Sequence, residues 1–233
     1  MTEDLEAPAS AEELYLARGT GISQARPLMT GDVVRRVDIP GVEVEGDAII
    51  LQHPCSMRKD GVNLVDRLLA ARVTASDDVP FDRWPTGYFG RMPLPELYGE
   101  GNHASASFDD IGLVPASVIE GAERIASLGR KGINLLQQRF VFYLTRFAVP
   151  TFQLDRVAAA IFEEADLLEE WTMAALSRGL DPREAAHEFH EWIRADDGTG
   201  VIRQRRLAEP QGLSAVRRAL RRELERLTDS QSS

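Results

Sequence analysis

The chain has 233 residues, 43% of them apolar and 27% charged, with a formal charge of −10. That length suits one compact domain, or a domain with a second, smaller packing unit, and no apolar run approaches the roughly 18–20 residues of a membrane helix. One cysteine, Cys55, excludes an intrachain disulfide and a cysteine-only zinc site, and the acidic balance argues against a basic nucleic-acid binder of the usual kind.

Glu3, Asp4 and Glu6 stand where a signal peptide would be basic and then apolar, which predicts a cytoplasmic protein. Glu12 and Glu13 continue the acidic run, and Arg18 is the first basic residue, so residues 1–27 are expected to form an acidic flexible arm. From 28 to 115 the pattern is that of β structure. Gly31-Asp32 opens a strand over Val33–Val37, and Pro40-Gly41 signals a turn. Ala48-Ile49-Ile50-Leu51 reads as a strand buried on both faces, ended by His53-Pro54 because proline cannot donate to a ladder. Leu68–Val73 is a third strand. The proline- and glycine-rich stretch from Trp84 to Tyr98 has room for a short strand around Tyr88-Phe89. Ser105–Phe108 and Gly112–Pro115, parted by Asp109-Asp110, suggest a closing hairpin or edge pair.

Beyond Ser117 the period becomes helical. Ser117 is placed to cap a helix through Val118, Ile119, Ala122, Ile125 and Leu128, and Ile133–Phe147 forms a second helix, largely buried. Pro150 breaks the chain before the longest helix, Leu154–Leu176. Asp181-Pro182 caps another that ends near Ala195, and Ser214 caps the last, where Val216, Leu220, Leu224 and Leu227 recur at helical spacing. Strands followed by helices predict an α+β fold, with a β unit over 28–150, a helical unit over 151–228 and a disordered tail over 229–233.

Residues 30–75 carry a more specific pattern: Gly31-Asp32-Val33-Val34, Pro40-Gly41, Ala48-Ile49-Ile50-Leu51 and Leu69-Ala70-Ala71-Arg72-Val73-Thr74, in that order. It resembles the opening of the PemK/MazF group of SH3-like small barrels. The resemblance implies a small SH3-like β-barrel followed by a helical C-terminal unit, and a place in a toxin–antitoxin or phage-defence locus. Members that cut RNA use an arginine just before the buried strand and a threonine after the third. Thr74 stands at the threonine's place, but Gly46-Asp47 stands at the arginine's, where a carboxylate repels phosphate. Arg35, Arg36 and Arg58 are the candidates for a relocated arginine.

The segment is also similar to uncharacterised barrel proteins whose buried strand runs into a polar, cysteine-containing turn. Here that turn holds His53, Cys55, Ser56 and Arg58. As chemistry it suggests a thiol or hydroxyl nucleophile activated by His53, with Arg58 holding an anion; as packing, Cys55 is a small hydrophobe and His53 a turn residue.

Elsewhere the patterns point to structure. His187 and His190 share a helix face but miss the His-Glu-x-x-His spacing by one residue. His103 is considered with His53 and Cys55 as a zinc set. Glu163, Glu164, Asp166, Glu169 and Glu170 read as surface charge, and the arginines of 203–226 as their intramolecular counterpart. Neither Gly-x-x-x-x-Gly-Lys-Ser/Thr nor Gly-x-Gly-x-x-Gly occurs, so no cofactor is expected. The sequence thus predicts a non-catalytic interaction or regulatory protein with a protein partner and no membrane association. An endoribonuclease acting on RNA through Thr74 and a Cys/His-dependent hydrolase or transferase at Cys55 are the alternatives.

Overall fold

The structure, a computed structural model, describes residues 4–229. It is α+β and contains two compact units. The first comprises the described residues up to Ile22 with Leu28–Lys59 and Leu64–Val157; the second comprises Ser23–Pro27, Asp60–Asn63 and the described residues from Ala158 onward.

The first unit is built on a seven-stranded sheet. Its strands are β1 (Tyr15–Arg18), β2 (Asp32–Val34), β3 (Asp47–Ile50), β4 (Arg67–Ala75), β5 (Arg91–Leu94), β6 (Ala104–Pro115) and β7 (Arg124–Leu128). They lie in the order β1-β7-β2-β3-β4-β6-β5, and every neighbouring pair is antiparallel. β3 is central: Ala48, Ile49 and Ile50 are fully buried, and Ile49 and Ile50 pair with Ala71 and Ala70 of β4. The alanines opposite isoleucines let the two faces pack without crowding.

The sheet curls into a half-barrel. Ala71 faces Ile111 on β6 while Arg72 faces Ser107, so Phe108, Asp109 and Asp110 are extra residues on β6 and bend it. Curling brings the two edges together. On β1, Tyr15 donates its hydroxyl to Pro95 O (2.9 Å) and Arg18 donates to Glu96 O (2.6 Å), both just past β5.

Three sequence expectations change here. The break expected at Asp109-Asp110 is a bulge in one continuous strand, because β4 supplies ladder partners on both sides of it. The strand expected around Tyr88-Phe89 is a turn with Tyr88 at φ 58°, and β5 starts at Arg91 with Pro93 on the outer edge, where a missing donor costs least. The helix expected from Ser117 to Leu128 ends early. Only α2 (Ala116–Gly121) is helical; Arg124–Leu128 is β7, inserted between β1 and β2. Two ladders of backbone hydrogen bonds outweigh a local helical preference.

The N-terminal stretch is packed over its described part. A helical turn over Pro54–Met57, α1, follows β3, and the helix α3 (Arg130–Thr145) packs beside Leu14, which is fully buried. Leu5 is buried too; Glu6 N–H donates to Gln138 and its carboxylate accepts from Thr151, and Glu13 pairs with Lys131. The expected loose arm is therefore a clasp from Leu5 onward; Glu3 lies outside the described residues. α3 buries Arg139 completely, and its aromatics reach the bulge, with Phe140 at 5.3 Å from Phe108 between ring centroids.

The longest helix, α4 (Thr151–Ser177), starts in the first unit and continues in the second. With it the second unit holds α5 (Pro182–Arg194), α6 (Arg203–Arg206) and α7 (Pro210–Asp229). Asp181 and Glu184 form a reciprocal capping box at the start of α5, as the Asp181-Pro182 pair predicts. The core is Leu167, Trp171, Ala175, Ala185, Phe189, Ile193, Leu207, Val216 and Leu220. The acidic face of α4 is engaged by basic side chains: Glu163 with Arg217 (2.6 Å), and Asp166 and Glu169 with Arg26 (2.8 and 2.7 Å). α7 begins before Ser214, and the tail beyond Asp229 lies outside the described residues. Among the described residues, no helix is long and apolar enough to cross a membrane.

Candidate functional site

The polar turn after β3 holds four of the five sequence-predicted site residues, and its side chains serve the turn itself. His53 caps α1, its Nδ1 accepting the Cys55 N–H at 3.3 Å. Ser56 Oγ donates to His53 O at 2.9 Å. Arg58 donates to Leu28 O at 3.1 Å. Gln52 ties the turn to β4, accepting from Leu69 N–H (3.0 Å) and donating to Ser56 O (2.6 Å). Met57, fully buried, is the anchor. Cys55 and Ser56 are exposed, while burial lowers the His53 pKa. An imidazole whose Nδ1 accepts a backbone amide carries its proton on Nε2, so Nδ1 is spent and does not serve as a base toward Cys55 or Ser56.

Thr74 lies elsewhere. The His53 turn is bound to β4 at Leu69, and Thr74 is five residues further along the same strand, about 17 Å at about 3.4 Å per residue. His103, the third member of the considered zinc set, is also at that far end, where its carbonyl accepts from Ser76 N–H. Among the described residues no group of three or more His, Cys, Asp or Glu is placed to share a metal ion. His187 is exposed, whereas His190 is partly buried against Gly61.

Around Thr74 is an open cavity of about 490 Å³ lined by Arg36, Asp38, Glu45, Gly46, Asp47, Val73, Ala75 and Tyr98 as well. Asp47 is its fixed point: one carboxylate oxygen accepts the Arg36 N–H (2.9 Å) and the other the Tyr98 hydroxyl (2.9 Å). Burial and the bond to Asp47 push the Tyr98 phenol upward, so it stays a neutral donor. Arg72 is on the same β4 face as Thr74, two residues away. Its guanidinium is buried and donates to Val37 O (2.8 Å), Asp47 O (3.1 Å) and Gly46 O. Gly46 is required there, because a Cβ would stand 2.5 Å from Val73 O and 3.2 Å from Arg72 Cδ.

The arginine nearest Thr74 in the strand is thus a structural cation bound to backbone; of the arginines considered for a relocated role Arg36 lines the cavity, where three carboxylates outnumber it. Such a field opposes charge build-up on phosphate. Sequence reasoning noticed Asp47 but overlooked Arg72 and Tyr98. The signal for Arg72 was present as a charged residue inside the run Leu-Leu-Ala-Ala-Arg-Val; nothing local pointed to Tyr98, which meets Asp47 only through folding. Comparison with protein-family models and with curated proteins finds no match for this chain.

A second surface feature stands at the corner between α3 and α4. Leu144, Phe147 and Phe152 are 60%, 74% and 69% exposed. The corner is a firm one: Arg146 takes a left-handed conformation (φ 61°) and ends α3, while Gln138 on α3 donates to Val149 O (2.9 Å). Asp155 accepts from Arg130 and Asn134, so the first turns of α4 run back along α3. Three large apolar side chains in nine residues, on backbone held this way, form an unusual concentration for a solvent-facing corner.

Proposed function

We propose that the protein is a non-catalytic interaction protein, an SH3-like, PemK/MazF-like barrel with a helical extension, in a toxin–antitoxin or phage-defence setting. The observation that carries the interaction reading is the exposed apolar corner of Leu144, Phe147 and Phe152. The barrel assignment rests on the resemblance of residues 30–75 and on the curled antiparallel sheet. Against the thiol-enzyme reading stand the hydrogen bonds that commit His53, Ser56 and Arg58 to the protein's own backbone; against the ribonuclease reading stand Asp38, Glu45 and Asp47, which line the Thr74 cavity with Arg36.

A photo-crosslinking side chain at Phe147, in the full chain inside cells, tests this reading. Discrete adducts with another polypeptide are expected, lost when Phe152→Asp is added, while induction leaves cellular transcripts intact. Cleaved transcripts that disappear with Thr74→Ala would overturn the proposal in favour of the ribonuclease. Activity on an acyl or phosphoryl substrate that disappears with Cys55→Ser would overturn it in favour of the thiol enzyme.

A further inference from the structure

We infer that residues 4–11 are a latch on the α3–α4 corner. Seated, they supply the N-terminal cap of α4 through Glu6; unseated, they free the corner and the first turn of α4 together. The latch needs no partner at the corner, and where the interaction reading holds it regulates that same surface. The residue before α4 is Pro150, which offers no side-chain acceptor, so the cap comes from far away in the chain. The Glu6 carboxylate accepts the Thr151 N–H (2.7 Å) and the Thr151 hydroxyl (2.5 Å) across 145 residues of sequence. A carboxylate placed there also meets the positive end of the helix dipole. Glu6 is tied to α3 as well, through Gln138, which is 1% exposed. The Glu6 N–H donates to Gln138 Oε1 (2.8 Å), and Gln138 Nε2 donates to Val149 O (2.9 Å) and Glu6 Oε1 (3.4 Å). One buried amide thus joins the N-terminal segment, the corner and the start of α4.

The segment is held in a way that lets it leave without the sheet. Its root is fixed: Leu14 is fully buried, its carbonyl accepts the Gly129 N–H (2.7 Å), and Gly132 on α3 gives it room. A Cβ at Gly132 would stand 2.1 Å from that carbonyl oxygen. Ahead of the root the anchors are few. Leu5, Pro8 and Ala11 are buried, while Asp4, Glu6 and Ala9 are exposed. Glu13 accepts the Ala9 N–H (2.8 Å) and pairs with Lys131. Among the described residues, 4–10 join no helix or strand and form no backbone–backbone hydrogen bond. Ordering such a segment costs conformational entropy at every residue, against which stand three buried side chains and the bonds of Glu6 and Glu13. Segments held this way open at far lower free energy than strands paired on both sides, such as β3. Opening withdraws Glu6 from Thr151 and from Gln138 in one event, because both sets of bonds lie on one residue. The corner and the first turn of α4 therefore lose their support together.

Amide hydrogen exchange of the full-length protein tests the latch, read at Thr151 and Gln153 with the β3 amides as an internal reference. Glu6→Ala removes the cap and is expected to speed exchange at both positions about tenfold or more, with β3 unchanged. Leu5→Asp is the decisive variant, because it leaves the Glu6 carboxylate in place and removes only the apolar anchor of the segment. It is expected to speed the same two amides, again without β3, and to hasten tryptic cleavage after Arg146. Unchanged protection of Thr151 and Gln153 in Leu5→Asp overturns the latch, since the cap then holds without the segment. Acceleration of β3 by the same factor also overturns it, since the segment then opens only with the whole unit. Crosslinking at Phe147 is a separate measurement. Adducts in cells with unchanged exchange in Leu5→Asp remove the latch and leave the interaction reading; faster exchange without adducts does the reverse.

Discussion

Arg139 shows how far a single residue can organise this fold. It is fully buried on α3 and donates to four carbonyls, those of Trp84, Gly87, Tyr88 and Arg91, with the Trp84 ring 5.4 Å away. Three of those carbonyls belong to the irregular loop before β5 and the fourth to Arg91 at its start, so one guanidinium fastens the loop and the first residue of the edge strand to α3. Burial lowers its pKa to about 10, which leaves it charged at neutral pH. Arg139→Met removes the donors and strands the acceptors, and is expected to cost about 3–5 kcal/mol in urea unfolding of a Trp171→Phe/Trp192→Phe background, in which Trp84 is the fluorophore. Arg139→Lys keeps the charge but not the fork, so an intermediate loss is expected. A loss within 0–1 kcal/mol for Arg139→Met, the range of an exposed ion pair, would show that the carbonyls find other partners. In the sequence Arg139 is one polar position in an apolar helix; its role depends on where residues 84–91 end up.

At the scale of elements, the short segment Asp60–Asn63 is held against α5 by complementary shape. The Asp60 carboxylate accepts from Val62 N–H (2.9 Å) and Asn63 N–H (2.8 Å), and Asn63 accepts from Arg183 on α5 (2.7 Å). Gly61, at φ +90°, lies on the His190 ring, where a Cβ would stand 2.0 Å from the imidazole. Gly61→Ala is therefore expected to destabilise by about 2–3 kcal/mol through both backbone conformation and overlap. His190→Ala, combined with it, should recover the overlap part, giving a coupling of about 1–2 kcal/mol in a double-mutant cycle. Strict additivity would mean that the segment moves away from α5 instead. The elements themselves were unevenly legible. α5 was readable because its capping box and apolar spacing lie within a few residues of each other; β7 was not, because Ile125, Ala126 and Leu128 suit helix or strand and their ladder partners, such as Tyr15 and Val33, are remote in sequence.

For the whole molecule, pH resolves two sets of charges. Burial is the largest cause of the lowered pKa of His53 and of His190. At His190, Arg194 and His187 add to the lowering, while Glu164 and Asp60 oppose it. Both folded environments favour neutral imidazole, so their stabilising contribution is complete above the ordinary value of 6.5 and is lost as pH falls through the depressed values. Carboxylates form a second, more acidic set: hydrogen bonds from Thr199 and then Arg206 take Asp197 to about 2, and Lys131 lowers Glu13. Their contribution is present above the ordinary 3.8 and 4.5 and is lost below those values. The urea midpoint is expected to fall in two steps, between pH 7 and 5 and again below about pH 4. Replacing His53 and His190 with Gln should flatten the first step alone. An unchanged first step would assign it to other groups.

The sequence by itself determined the class of the fold, the buried β3, the long α4, the capped α5 and the polarity of the turn that holds Cys55. These depend on the period of apolar residues and on caps, both encoded over a few neighbouring positions. Only the tertiary structure decided that the acidic N-terminus is clasped by α3, that β7 completes the sheet, that Asp109-Asp110 is a bulge, and that Thr74 is separated from the His53 turn by the length of β4. It also decided which charges are paired internally, as Glu163 is with Arg217 and Asp155 with Arg130. Strand pairing and charge compensation join residues far apart in the chain, so local periodicity carries no record of them.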